Sequence, residues 1–94
     1  MTDDVQAAAT VSLPAILDLQ AADPLRAEIL SLRGRPLDID ASQVSRLGGL
    51  CLQVLLSARA TWEADGLSLR IDQPSDAFIE QMAAFGNPDV HVQA

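Results

Sequence analysis

The sequence predicts a small α/β domain: a mainly parallel sheet of about four strands with helices packed on one face. Three observations predict it. Short stretches that alternate apolar with polar residues, such as "LDID" and "LSLRID", are separated by longer stretches with helical spacing. The order strand–helix–strand–helix–strand–helix requires crossover connections, which are right-handed and make neighbouring strands parallel. Each strand alternates, whereas strands of a sheet covered on both faces read as continuous apolar runs. One sheet face is therefore expected to be partly wet.

The elements follow in order. Residues 1–9 read as a flexible N-terminal arm, and 10–94 as a single domain. The opening "MTDDVQAAAT" is acidic where a signal peptide would be basic, and no hydrophobic region follows, so a cytoplasmic location is expected. "TVSLPAIL" (Thr10 to Leu17) alternates Val11 and Leu13 with Thr10 and Ser12, predicting a strand closed by Pro14. In "ADPLRAEILSLRG", Asp23 is the expected N-cap, Pro24 the first helical residue and Gly34 the stop. Leu25, Ile29 and Leu32 form its apolar stripe, with Leu30 at the flank. "PLDIDAS" predicts a second strand, with Leu37 and Ile39 on one face and Asp38 and Asp40 on the other.

A short loop through Gly48-Gly49 then opens a mostly buried helix from about Gly49 to Asp65, ending at Gly66. Leu52, Leu55, Leu56 and Arg59 form one row, and Cys51, Val54, Ala58 and Trp62 another. Its visible side lies near Gln53, Ser57, Ala60 and Ala64. "LSLRID" is a third strand, with Leu67, Leu69 and Ile71 inward and Arg70 outward, in reach of Asp38 if the two strands are neighbours. "PSDAFIEQMAAFG" is a third helix, capped by Ser75 and striped by Phe78, Met82 and Phe85. Pro88 ends it, and "VHV" is a candidate last strand.

Composition narrows the function. A chain of 94 residues, 49% apolar, supports one modest core. Its longest apolar run is far short of the roughly 20 residues that span a membrane. Net charge is −7, and the positive residues are six scattered arginines with no lysine. With two Phe and one Trp there is no stacking platform, so neither nucleic acid nor an anionic membrane surface is an expected partner.

Catalytic chemistry finds little support. Asp38 and Asp40 share a strand face, but an exposed face supplies neither the burial nor the crowding that shifts carboxyl pKa values. Cys51 sits in an apolar row and reads as an inert core thiol. The single His91 lies about 40 residues away in the sequence, so one Cys and one His supply too few ligands for a metal. Gly48-Gly49 lacks the lysine and glycine spacing of a phosphate loop, and reads as a tight strand-to-helix turn. Trp62 is a core or rim aromatic, with an interface role as the alternative. No cofactor is expected.

With the helix start placed, "LDIDASQVSRLGGLCLQVLLSA" resembles the central motif of STAS domains of the anti-sigma-factor antagonist type. In that pattern a strand ends in Asp-x-Ser, and Asp-Ser-Ser-Gly or Asp-Thr-Ala-Gly opens a helix with Leu-x-x-Leu-Leu. Asp40, Ser42, Val44 and Leu47 match the first part, and Leu52, Leu55 and Leu56 the helix. "LDLQAADPLRAEIL" is similar to the family's lead into the first helix, and "LSLRIDQPSDAFIEQMAAFG" to its strand, Pro-Ser turn and last long helix. The resemblance runs from about Val11 to Val92 and implies a STAS-like fold. The short arm leaves open whether the family's first strand is kept.

One departure stands out. In this register Gly48 takes the family's Asp position and Gly49 the position of the phosphorylated Ser or Thr. Leu50 takes the following small residue and Cys51 the glycine. Neither Ser42 nor Ser45 occupies the helix start, so no phosphorylation is expected there. What the resemblance still implies is a non-enzymatic protein-binding module whose contact residues map to Ser45, Arg46, Gly48, Gly49, Leu50, Gln53 and Ser57. Leu50 is either an exposed apolar anchor or a core residue, and Arg46 either a charged rim contact or a solvated side chain.

The partner implied is a kinase-like anti-sigma protein or a component of a bacterial signalling array, with a chemotaxis-associated context preferred. The alternative is a subunit resembling the small STAS protein of the Mla phospholipid transporter, which docks on an ATPase. That protein keeps a Thr in the loop where this chain has Gly49.

Overall fold

The computed structural model describes residues 8–86. In chain order these form β1 (Ala9–Ser12), β2 (Ile16–Leu17), a 3-10 turn (Leu19–Ala21), α1 (Ala22–Leu30), β3 (Leu37–Asp40), β4 (Arg46–Leu47), α2 (Gly49–Ala64), β5 (Leu69–Asp72) and α3 (Asp76–Ala84). β3 is the centre of a three-stranded parallel sheet of order β1-β3-β5. A separate two-stranded sheet joins β2 to β4, also in parallel. The chain is thus an α/β domain with parallel pairing throughout the described residues.

Register explains the alternation seen in the sequence. Val11, Ile39 and Ile71 lie side by side, with Ala9, Leu37 and Leu69 in the next row on the same face. These meet Leu25 and Ile29 of α1, Leu52, Leu55 and Trp62 of α2, and Phe78 and Met82 of α3 in one core. Full burial of such side chains contributes about 1.5–3 kcal/mol each. Trp62 is wholly buried, and its indole N–H donates to the Arg35 carbonyl at 2.7 Å, so its polar atom is satisfied and it is a core residue. The opposite face carries Thr10, Ser12, Asp38, Asp40, Arg70 and Asp72, all exposed or half-buried. Asp38 and Arg70 are register partners and pair at 3.6 Å, an exposed contact contributing about 0–1 kcal/mol.

Several expectations are corrected. The first strand stops at Ser12; Leu13 stays buried, but Pro14 and Ala15 break the chain and Ile16–Leu17 pairs elsewhere, with Arg46–Leu47. Arg46 and Leu47 therefore belong to a strand and not to a free loop. Asp23 does not cap the first helix. Asp18 does the capping, its carboxylate accepting from the Gln20 and Ala21 N–H groups at 3.1 Å each, and the 3-10 turn it starts runs directly into α1. Asp23 and Pro24 then fall inside the first turn, where backbone N–H groups have no helical partner and proline costs nothing. Phe85 leaves the apolar stripe of the third helix: it is the C-cap residue, with 47% of its surface exposed. Finally, Ala9, assigned to the arm, is the buried first residue of β1.

Gly66, at φ +74°, directly follows the C-cap Asp65 of α2 and is its left-handed stop. Gly34, also left-handed at φ +103°, does not end α1 as expected, because that helix stops at Leu30 with Ser31 as its C-cap and a turn carries the chain on to Gly34. Ser75 caps α3, its hydroxyl accepting from the Phe78 N–H at 3.0 Å. Residues 1–7, Pro88, "VHV" and His91 lie outside the described residues.

Candidate protein-binding site

The strand β3 delivers the chain to the segment 41–48, and almost every residue there is held. Asp40 accepts from the Ser42 N–H at 2.9 Å, which keeps its carboxyl below the usual carboxylate range. Ser75 donates its hydroxyl to the Val44 carbonyl at 2.6 Å. The Ser45 N–H, the Arg46 N–H and the Ser45 hydroxyl all point at the Ala15 carbonyl, at 2.8, 3.1 and 3.1 Å. Gln81 of α3 accepts from the Leu47 N–H at 2.6 Å and donates to the Ser45 carbonyl at 3.3 Å. The Gly48 N–H donates to the Leu17 carbonyl at 2.8 Å. Two anchors converge on this segment: β2 from one side and α3 from the other.

Gly48 is the N-cap of α2, in an extended conformation (φ −88°, ψ 163°) open to any residue. Its need for glycine is one of space, because a Cβ there would sit 3.0 Å from the Leu17 carbonyl oxygen. Gly49 is the first helical residue, and a Cβ on it would meet only the Phe85 ring at 3.7 and 3.9 Å, ordinary contact. The two glycines are thus unlike: one is crowded by backbone and the other is not. No side chain caps α2.

Cys51, two residues on, is fully buried and its thiol donates to the Asp18 carbonyl at 3.3 Å. Burial first, and the Asp18 charge second, push its pKa up, which disfavours the nucleophilic thiolate. Among the described residues no group of three or more His, Cys, Asp or Glu is placed to hold a metal ion.

The structure puts Ser45, Arg46, Gly49, Leu50, Gln53 and Ser57 on the surface, with Gly48 half-buried beneath them. Leu50 is 48% exposed, so it is not a core residue. Arg46 is exposed and makes no ion pair among the described residues. Gln53 and Ser57 lie one turn apart on α2 and form one wall of a groove of about 320 Å³ between α1 and α2.

Sequence reasoning missed three apolar neighbours of this surface. Leu19, on the 3-10 turn that Asp18 ties to Cys51, is 73% exposed. Phe85 lies beside Gly49. Ile16, opposite Arg46, is 46% exposed. With Leu50 these are four of the six large exposed hydrophobic residues in the described chain. A fifth, Leu30, lines the adjoining groove. A usable signal was present for Leu19, an apolar residue between Asp18 and Gln20 that no periodic stripe claims.

No helix among the described residues is long and apolar enough to cross a membrane. A comparison with curated proteins returns no match. A protein-family model described as "Mlab, STAS domain" matches residues 1–90, almost the whole chain and including the strand-to-helix segment around Gly48 and Gly49. The chain belongs to the STAS domain family.

Proposed function

We propose that this STAS domain is a non-enzymatic protein-binding module of bacterial signalling, acting in the cytoplasm, whose recognition surface is the start of α2 in a permanently unmodified form. The observation that carries the reading is that Ile16, Leu19, Leu50 and Phe85, all exposed, lie on or beside the segments bonded or packed to that helix start. Exposed apolar side chains on neighbouring segments, with the charged Arg46 and Asp18 beside them, have the make-up of a docking patch. Gly49 offers no hydroxyl, so a kinase has nothing to modify at the position where relatives carry a phosphorylated residue. The partner on this reading is a kinase-like anti-sigma protein or a signalling-array component, with chemotaxis the preferred setting.

The description of the matching family model, which carries the name Mlab, favours a second reading. In it the chain is the STAS subunit of a phospholipid transporter and the same patch docks on the transporter ATPase. Neighbouring genes separate the two: chemotaxis genes support the first, and transporter ATPase and permease genes the second.

The test is capture of the partner by the purified chain and by its Leu50→Asp and Arg46→Glu variants. Both substitutions are at exposed positions, where stability changes stay within about 0.5 kcal/mol. Capture is lost while thermal melting is nearly unchanged. A matching drop in melting temperature would assign both residues to the fold and end the interface reading. Phosphorylated Ser45, found by mass spectrometry after incubation with candidate kinases and ATP, would overturn the unswitched reading.

A further inference from the structure

The groove between α1 and α2 continues the same surface. Ile29 and Ala58, both buried, line its depth, and Leu30 and the half-buried Val54 line it from either helix. On α2 it runs from Gln53 through Ser57 to Thr61, a rise of eight residue steps, or about 12 Å at 1.5 Å per step. Arg26 is the one charged side chain that lines it, and it makes no ion pair among the described residues. The trough is two turns long, with Ile29, Leu30, Val54 and Ala58 as its apolar lining, an uncharged polar row of Gln53, Ser57 and Thr61, and one cation, Arg26, on a chain of net charge −7.

We infer that this groove takes an amphipathic helix of the partner protein, apolar along the face that enters and acidic where it passes Arg26. The inference rests on the protein-binding reading above and specifies the partner's chemistry. Length favours a helix, since two turns present residues at i, i+4 and i+7 along one side, the spacing used when a helix lies in a groove. Charge favours an acidic residue, because a carboxylate on an unpaired guanidinium is a strong hydrogen-bonded contact and a basic one is repelled. Gln53 and Ser57 join groove to patch, so one partner covers both, with its helix along α1 and α2 and its remaining contacts on Leu50 and Arg46.

The experiment is a selection on the full chain. A phage-displayed library of amphipathic helices, with leucine fixed at i, i+4 and i+7 and the flanking positions randomised, is panned against wild type and against Arg26→Glu. Wild type enriches helices with Asp or Glu at a flanking position, and these lose about tenfold or more in affinity for Arg26→Glu and Leu30→Asp. Arg26→Glu enriches Lys or Arg at the same position. Both exposed variants are checked for unchanged melting. Clones without acidic bias, clones indifferent to both groove variants, or no clones at all overturn the inference. So does a Leu30-dependent dimer by size-exclusion chromatography, which would make a second copy the occupant. Clones lost on Leu50→Asp but kept on Leu30→Asp leave the patch reading standing and remove the groove. Natural-partner capture that survives Leu50→Asp and Arg46→Glu removes the patch reading independently.

Discussion

Gly48 and Gly49 are adjacent and identical, yet alanine at each should act in opposite directions. At Gly48 the backbone angles suit alanine, but the new methyl lies 3.0 Å from the Leu17 carbonyl oxygen and 3.9 Å from the Asp18 Cα. That oxygen is fixed twice over. It accepts the Gly48 N–H itself at 2.8 Å, and Leu17 is paired with Leu47 in the two-stranded sheet. A backbone atom so held yields only by shifting β2 or α2, and overpacking of this kind costs about 1–3 kcal/mol. The stiffer unfolded chain returns about 0.4–1 kcal/mol, leaving a net loss of roughly 1–2 kcal/mol. For a domain of this size that is a fall in Tm of ~5–15 °C. At Gly49 the methyl meets only the Phe85 ring edge at 3.7 Å, so the same entropic gain of about 0.4–1 kcal/mol stands alone. Tm rises by ~2–8 °C. Thermal unfolding followed by circular dichroism decides it. A Gly48→Ala variant that melts at or above wild type would refute the claim that backbone crowding selects glycine there.

Gln81→Ala removes the acceptor of the Leu47 N–H; stranding that partly buried donor costs about 1–3 kcal/mol, and amide exchange at Leu47 accelerates. An unchanged exchange rate would show that β2 alone holds the segment. The Arg33 guanidinium, bonded to Asp65 at 2.9 and 3.1 Å, holds that carboxyl below its usual range. Because the folded pKa is depressed, the stabilisation is present above the unfolded value of about 3.9 and lost as pH falls through the folded one. Asp65→Asn therefore melts below wild type at neutral pH, and the gap closes in acid; a gap that persists there refutes the pairing as its source. Cys51, buried and with a raised pKa, resists a thiol reagent in the native chain and reacts once denaturant unfolds it. Rapid labelling of the native chain would show that the first turn of α2 opens locally.

The fold was legible because its strands and helices carry their own periodicities. Leu37 and Ile39 against Asp38 and Asp40, or Phe78 with Met82, state which face is buried with no knowledge of the neighbours. What sequence missed depends on partners distant in the chain. Ile16–Leu17 is too short to show a period, and it is a strand only because Arg46–Leu47 lies beside it. Asp23 has the better local signature for a cap, but Asp18 captured the N–H groups first and moved the start of helical structure upstream. Phe85 has the right spacing for the third helix's stripe, yet the helix ends at Ala84 and the ring falls by Gly49 instead. The positions proposed for recognition, from Ser45 to Ser57, come from a motif in the sequence. The exposed apolar residues near them do not, since Leu19, Ile16 and Phe85 come from three separate elements.

The difference between the glycines also separates what the fold requires from what recognition requires. Gly48 answers to crowding, and any replacement there mixes stability with binding. Gly49 does not: a Cβ there makes only ordinary contact with the Phe85 side chain, and no backbone atom crowds it. An acidic residue at the first helical position would even be favoured, by about 0.3–1 kcal/mol, through the positive end of the helix dipole. Gly49→Asp should thus hold or raise Tm. If the partner reads an uncharged helix start set among Leu19, Leu50 and Phe85, the same variant should bind it at least tenfold more weakly, because a carboxylate is then desolvated against apolar surface. Gly49→Ser, uncharged and small, should lie between Gly49→Asp and wild type in binding. Opposite signs for stability and affinity are the outcome that a folding defect cannot produce. Undiminished affinity in Gly49→Asp, measured by titration calorimetry, would mean that the partner does not contact the helix start.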